Sequence, residues 1–406
     1  MARLIVTGYM IRHPVAGNML AYFHYLLGFH RLGHDVCYLE ESGWPSPCYN
    51  PILGKYSNDP SYGINAVRAL LENHGIRMPV CYVNRDTGEV SGCCNSSLEQ
   101  LLSSSDLLLN VGGVCSLPEF ALSKRRVLID MDPLFTQLGY FAGEDLHDYD
   151  AHFSYGNNIG KAGSLIPTCG IEWQAVKPPV VPAIWQGSAS ANLDAPFTTV
   201  CNWNAYGAVE YEGKRYGQKD VEFLKLLKLP GYVSQPLELA VSGADTATRE
   251  KFEKAGWSVR DAQDMSNDVS AYQHYIAGSR GEFSVAKQAY VETRSGWFSD
   301  RSACYLAAGR PVIVQDTGIG DWLTTGKGVL TFSSMDQATD CLERVDADYA
   351  SHCEAAKQIA DQVFSYRVVL PRILQRSFAS SHGSKERDAG VVDGSITLED
   401  DLREAE

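Results

Sequence analysis

An α/β architecture of two parallel-sheet domains, facing each other across a cleft, is predicted by three observations. Short apolar runs recur between segments whose apolar residues fall at helical spacing. A stretch rich in proline and glycine, residues 174–197, separates two such series of similar size. The chain has 406 residues, 45% of them hydrophobic and 21% charged, enough for two packed domains and too apolar for global disorder.

The elements can be justified in order. Residues 4–7 form a short apolar strand, and a loop carrying Arg12, His13 and Pro14 follows between Gly8 and Gly17. Met19, Leu20, Phe23, Leu26 and Leu27 then fall on one helical face, with Gly33 as a stop. Residues 35–40 make the second strand, so the unit is strand, helix, strand, with a right-handed crossover. The pattern continues with a helix near 66–71 and strands at 80–83, 107–111, 126–130 and 152–155. The second series has strands at 198–201, 237–241, 257–260 and 311–314. Its helices lie at 222–227, 246–255 and 299–308, and a long helical region spans 355–378. These assignments give a first domain at 1–185, a linker at 186–197 and a second domain at 198–360. A C-terminal helix at 361–380 and a tail at 381–406 complete the chain. From Lys385 onward the tail holds 8 acidic and 3 basic residues and is expected to be disordered.

Charge excludes some functions. Lys plus Arg number 35 against 49 Asp plus Glu, a net charge of −14, so general binding to nucleic acid or anionic membrane is not expected. A modified base presented to a local basic cleft remains compatible. No run approaches the roughly 18 apolar residues of a membrane span. The N-terminus runs straight into a strand without a signal-peptide pattern, so a cytoplasmic location is expected. The 11 cysteines include one close pair, Cys93-Cys94, and no CxxC or zinc spacing, so they read as free, mostly buried thiols. Gly8 and Gly17 are too far apart for a dinucleotide fingerprint, and neither a GxSxG elbow nor a P-loop occurs.

In an open parallel sheet, ligands bind beyond the carboxyl ends of the strands, so the loops after strands carry the most weight. The most informative runs from Arg294 to Gly318. It is a loop with Gly296, Trp297 and Phe298, then a helix starting at Ser299-Asp300-Arg301-Ser302, a stop at Gly309, a strand, and Gln315-Asp316 at its end. Free N–H groups at a helix start suit a phosphate or diphosphate, with Ser and Arg side chains adding donors. The competing reading is an ordinary capped helix with Ser299 as N-cap. Asn202, Trp203 and Asn204 follow the first strand of the second domain and would face the cleft, with Trp203 equally suited to packing. His13 follows the first strand of the first domain beside Arg12, and imidazole suits proton transfer near neutral pH. Asp130 or Asp132, at another strand end, would orient it. Asp130-Met131-Asp132 could also bind a divalent ion. Its place in the first domain, away from the helix start, argues against that, and no metal is expected.

Gly296-Trp297-Phe298-Ser299-Asp300-Arg301-Ser302, with Ala308-Gly309-Arg310-Pro311-Val312 and Gln315-Asp316, resembles the donor-binding segment of GT-B glycosyltransferases. Leu32-Gly33-His34-Asp35-Val36 is similar to the turn after the first helix of these enzymes. The resemblance implies two Rossmann-like domains and a C-terminal helix crossing back to the first. It implies transfer of a sugar from a nucleotide-diphosphate-sugar co-substrate to an acceptor hydroxyl, with no further cofactor. It further implies His13 as the general base of an inverting reaction, and a nucleobase and ribose cradle at Arg280, Glu282, Phe283 and Lys287. The chain departs from the retaining pattern, with Gly296 and Cys304 where paired Glu residues often stand, and from the plant-type inverting pattern at Ser295 and Phe298. A nucleotide-sugar epimerase of the same fold and a non-catalytic nucleotide-sugar-binding protein are the alternatives.

Overall fold

The computed structural model describes residues 1–92, 97–139, 146–185 and 194–379. Cys93-Cys94, most of the expected linker and the acidic tail lie outside the described residues.

The first sheet contains β1 (Arg3–Thr7), β2 (Asp35–Glu41), β5 (Val80–Val83), β6 (Val90–Gly92), β7 (Leu107–Val111), β8 (Arg126–Asp130), β9 (Ala151–Ser154) and β10 (Trp173–Ala175). β3 (Cys48–Asn50) and β4 (Lys55–Ser57) form a separate hairpin. The second sheet contains β11 (Phe197–Asn202), β14 (Leu237–Ser242), β15 (Ser258–Asp261), β16 (Gly281–Ser284), β17 (Val312–Gln315) and β18 (Val329–Phe332). β12 (Val209–Tyr211) and β13 (Lys214–Tyr216) form the second hairpin.

The strand orders are β10-β9-β8-β7-β1-β2-β5-β6 and β15-β14-β11-β16-β17-β18. Every pairing in them is parallel except β5 with β6. Parallel strands covered on both faces must be apolar throughout, which explains Leu4, Ile5 and Val6 in β1 and the buried run of β7. In each sheet the order reverses at the central strand, between β1 and β7 and between β11 and β16. That opens a crevice at the carboxyl ends of those strands.

The helices are α1 (Ala16–Arg31), α2 (Ser61–Asn73), α3 (Leu98–Ser103), α4 (Lys219–Lys225), α5 (Thr246–Lys254), α6 (Gln263–Ser266), α7 (Val269–Gly278), α8 (Gln288–Glu292), α9 (Asp300–Ala307), α10 (Met335–Ala347), α11 (Tyr349–Ile359) and α12 (Tyr366–Ala379). α1 and α9 share one apolar core, which runs across both domains. α12 packs on α1 and contributes Leu370 and Ile373 to that core. The long final helical region is therefore not continuous: a π segment at Ala360–Phe364 and Ser365, in an extended conformation, separate α11 from α12. Eight of the described cysteines are free, as expected, but Cys81 is disulfide-bonded, a correction to the all-thiol reading. No helix among the described residues is long and apolar enough to cross a membrane.

α2 lies hard against the loop that follows β1. A Cβ on Gly63 would sit 2.0 Å from the carbonyl oxygen of Ile11. Gly63→Ala is therefore expected to cost about 1–3 kcal/mol, the usual range for overpacking, read by urea denaturation. Unchanged stability would show that the loop has slack.

Candidate active site

The β1 loop is fixed by one carboxylate. Tyr38 and Glu40 are two apart on β2 and so share a face of the sheet. Glu40 accepts from the backbone N–H of Ile11 at 2.7 Å, from that of Arg12 at 2.8 Å, and from Arg12 Nε at 3.0 Å. Tyr38 adds its hydroxyl to Glu40 at 2.5 Å and accepts from the N–H of Met10. Arg12 also donates to the carbonyl of Val114 and lies over the rings of Tyr9 and Trp44. Arg12 is thus fully buried and neutralised by Glu40, a brace for the loop and not an open cleft cation.

This brace presents His13. Its ring stacks on Tyr9 at 5.7 Å between centroids and also meets Tyr49 at 5.2 Å and Tyr56 at 6.5 Å. Burial among these rings lowers its pKa to about 4, so the imidazole is neutral at ordinary pH and able to take a proton. Nδ1 is sealed without a hydrogen-bond partner. Among the described residues no carboxylate bonds to it. Asp130 accepts from Thr136 Oγ1, Gln137 Nε2 and Ser154 Oγ. Asp132 binds Lys287 Nζ at 2.5 Å and accepts from the hydroxyls of Tyr206 and Tyr290. The sequence-based pairing of His13 with either aspartate is corrected on that ground. The Lys287 ammonium is thus the counter-ion of Asp132.

The second domain holds a small recess at the carboxyl ends of β16 and β17. Ser284, Trp297, Phe298, Ser299, Ser302, Gln315 and Thr317 are among the residues lining it. Ser299 caps α9 by accepting from the N–H of Arg301 at 3.2 Å, so the ordinary cap predicted for it is present. Gly296 has φ +70°, and a Cβ there would meet Asn158 at 2.7 Å, so the loop needs glycine at that place. Ser302 Oγ is buried and has no partner among the described residues. Asp300 stands at the first position of α9, its carboxyl pushed up by burial. Lys219, at the first position of α4, has no ion-pair partner among the described residues. Burial and then the Arg301 charge lower its pKa to about 8.

Several expected ligands are committed elsewhere. Arg301 donates to Glu282 Oε1 at 2.7 Å, to the Val200 carbonyl at 2.7 Å and to Ser284 Oγ at 2.8 Å, so it braces the sheet beneath the recess. Glu282 is consequently a buried counter-ion to Arg301, not a ribose acceptor. Phe283 stacks on Phe332 at 5.1 Å in the core. Arg280 precedes β16, at the edge of the sheet away from the recess, where it pairs with Asp346 and stacks on Tyr349. Trp203 packs between Phe223 and Phe252, while Asn202 accepts from the Ser242 hydroxyl and Asn204 is exposed. Gln315 Nε2 donates to Glu222 at 2.5 Å, and Asp316 caps the turn at Gly318 and Ile319.

The two strand edges face each other. Trp297 Nε1, after β16, donates to the carbonyl of Met131, after β8, and Lys287 meets Asp132 at the same junction. His13 lies in the loop after β1, and β1 is two strands along from β8 in the first sheet. Sequence reasoning missed Glu40, Lys219 and the tyrosines around His13. An acid inside an otherwise apolar strand was a usable signal for Glu40, whereas Lys219 gave none.

No protein-family model and no curated protein matches the chain. Solved structures do. An α-glucosyltransferase in complex with UDP-glucose and DNA containing an abasic site superposes with a TM-score of 0.58 at 10% identity, covering 93% of this chain and 99% of that one. AviGT4, a glycosyltransferase involved in avilamycin A biosynthesis, gives a TM-score of 0.55 at 11% identity, over 93% and 97%. HepE of Anabaena, in complex with UDP and glucose, gives 0.51 at 11% identity, over 93% and 100%. The likeness spans nearly the whole chain, and the fold is the GT-B fold that the sequence resembles.

Proposed function

We propose that this chain transfers a sugar from a nucleoside-diphosphate sugar to an acceptor hydroxyl, with inversion and without a metal. The observation that carries this reading is the recess at the start of α9, lined by a Ser302 hydroxyl without a partner among the described residues, with the Lys219 ammonium within electrostatic reach of Arg301. The diphosphate binds at the helix start, where the N–H groups and Lys219 offset its charge. The acceptor oxygen attacks the anomeric carbon from the side of the first domain. As that bond forms, the bond to the diphosphate oxygen breaks, and His13 takes the hydroxyl proton. The leaving diphosphate gains charge where preorganised donors await it, which is where stabilisation accelerates the reaction. A single displacement inverts the anomeric centre.

UDP, present with HepE, is the natural probe, and UDP-glucose is present with the α-glucosyltransferase. At a hundredfold excess over its Kd, a ligand adds about 2.7 kcal/mol of stability, an easily measured rise in Tm. Lys219→Ala removes one charge-assisted contact and is expected to weaken UDP binding about 10- to 100-fold. Uridine, lacking phosphate, should be indifferent to that change. No Tm rise with any nucleoside diphosphate, or equal UDP affinity in the variant, would refute the donor site.

A further inference from the structure

We propose that a band of cationic side chains along α12 is the docking surface for the chain's own acidic C-terminal segment, residues 385–406. It is independent of the sugar-transfer reading. Arg372 and Arg376 are four apart on α12 and both exposed, while Val369, Leu370 and Ile373 go into the core. Where the helix ends, Arg125 donates to the Ser377 carbonyl. Beside its start, the Val180 N–H donates to the Phe364 carbonyl and the Val180 carbonyl accepts from the Tyr366 N–H, which ties the segment carrying Lys177 to α12. Lys177 Nζ donates to Asn157 Oδ1 at 2.6 Å and lies 4.6 Å from the ring centroid of Trp322. Lys161 Nζ reaches the oxygen of the next residue, Asn158, at 3.5 Å, so the two lysines are neighbours. Burial and then the charges of Lys161, Arg372 and Arg376 lower the Lys177 pKa to about 8, so these four cations act on one another.

The band is not neutralised from within. Lys161, Lys177 and Arg372 have no ion pair among the described residues. Asp321, next to Trp322 in the chain, is already bonded to Arg294 and to Asn158 Nδ2, each at 3.1 Å. Like charges held this close raise each other's energy, and an anionic partner relieves it.

Charge and length select the occupant. The chain carries −14, of which residues 385–406 hold −5 (8 acidic against 3 basic), so the remainder carries −9. An acidic segment is therefore repelled by the body at large and attracted where the body is locally basic. The segment follows α12 directly. Twenty positions separate Ala379 from Glu399-Asp400-Asp401, a length of chain that can span up to roughly 65 Å. Arg372 lies only roughly 10 Å from Ala379 along the helix. Tethering of this kind supplies an effective concentration on the order of millimolar. A polynucleotide or an anionic membrane has the charge but no tether, and its wider surface also meets the acidic body.

The test is crosslinking of the full chain with a water-soluble carbodiimide, which joins a carboxylate to an amine in contact with it, followed by peptide mass spectrometry. Amides between Glu399, Asp400 or Asp401 and Lys161 or Lys177 are expected in at least tenfold higher yield than amides to Lys55 and Lys228, which are exposed elsewhere. Arg372→Glu changes an exposed side chain and should fold, as circular dichroism verifies, and should lower that yield at least fivefold. Arg372→Lys should keep it. Salt at about 1 M, where charges are screened beyond about 3 Å, should lower it too. Equal yields at all four lysines, or a yield that Arg372→Glu leaves unchanged, overturns the proposal. So do crosslinks that join an isotope-labelled chain to an unlabelled one, since the occupant is then a second copy. Binding of phosphatidylglycerol vesicles or a single-stranded oligonucleotide that Arg372→Glu abolishes, with the Lys161 and Lys177 amides absent, overturns it as well.

Discussion

His13→Ala is expected to lower turnover about 10²- to 10⁴-fold, the range for loss of a positioned general base, while UDP still raises Tm. The pH profile should identify the group. Burial lowers the His13 pKa to about 4, so the active neutral form persists down to that pH. The acid limb of kcat/KM should then lie near pH 4, two units or more below that of an ordinary imidazole, and His13→Ala should abolish it. The same shift has a sign for stability. An unfolded histidine titrates near pH 6.5, so the unfolded chain binds the proton first, and the contribution of a buried neutral ring is lost as pH falls from about 6.5 toward 4. His24, lowered to about 3 by burial and then by His74, acts in the same direction. Turnover within threefold of the parent in His13→Ala, with every accepted acceptor, would remove the base assignment.

Arg301→Ala is expected to destabilise the fold by about 3–5 kcal/mol, because it leaves the fully buried Glu282 without its counter-ion and takes a donor from Ser284 and from the Val200 carbonyl. Pairing it with Glu282→Gln should lose less than the sum of the two single changes, since the stranded charge is then gone. Denaturation midpoints decide between this account and a direct role at the diphosphate: a variant of unchanged stability with weakened UDP binding would return Arg301 to the ligand. The sequence alone suggests the direct role. Glu282 stands nineteen positions earlier, and only the parallel pairing of β16 with β17 and the packing of α9 bring the two together.

What the sequence reveals follows from how far each signal reaches. A buried parallel strand announces itself as a short apolar run, so residues 4–7, 107–111 and 311–314 are readable without tertiary knowledge. The two hairpins are not, because strands of three residues with exposed polar positions have too little periodicity; the surface around His13 went unseen with them. The break between α11 and α12 was equally hidden, since the apolar spacing runs on through Phe364. Among the site residues, the β1 loop and the start of α9 were legible as loops after strands. Arg280 was misjudged by one boundary: β16 begins at Gly281, and the residue before a parallel strand belongs to the far edge of its sheet. Trp203 and Phe283 went to the core because nothing in a single sequence separates a cleft aromatic from a packed one.

The stitching between residues 156–165 and 287–318 constrains how the molecule breathes. Asn158 N–H to the Ser295 carbonyl, Leu165 N–H to that of Thr293, Asn158 Nδ2 to that of Gly318, the Trp297 indole and the Lys287 pair all cross from one domain to the other. At roughly 1 kcal/mol net each, tearing them together for a clamshell swing costs several kcal/mol. The β3–β4 hairpin at the other rim is tied down as well: the Tyr49 N–H donates to the Arg12 carbonyl, and Cys48 is buried in the core that both domains share.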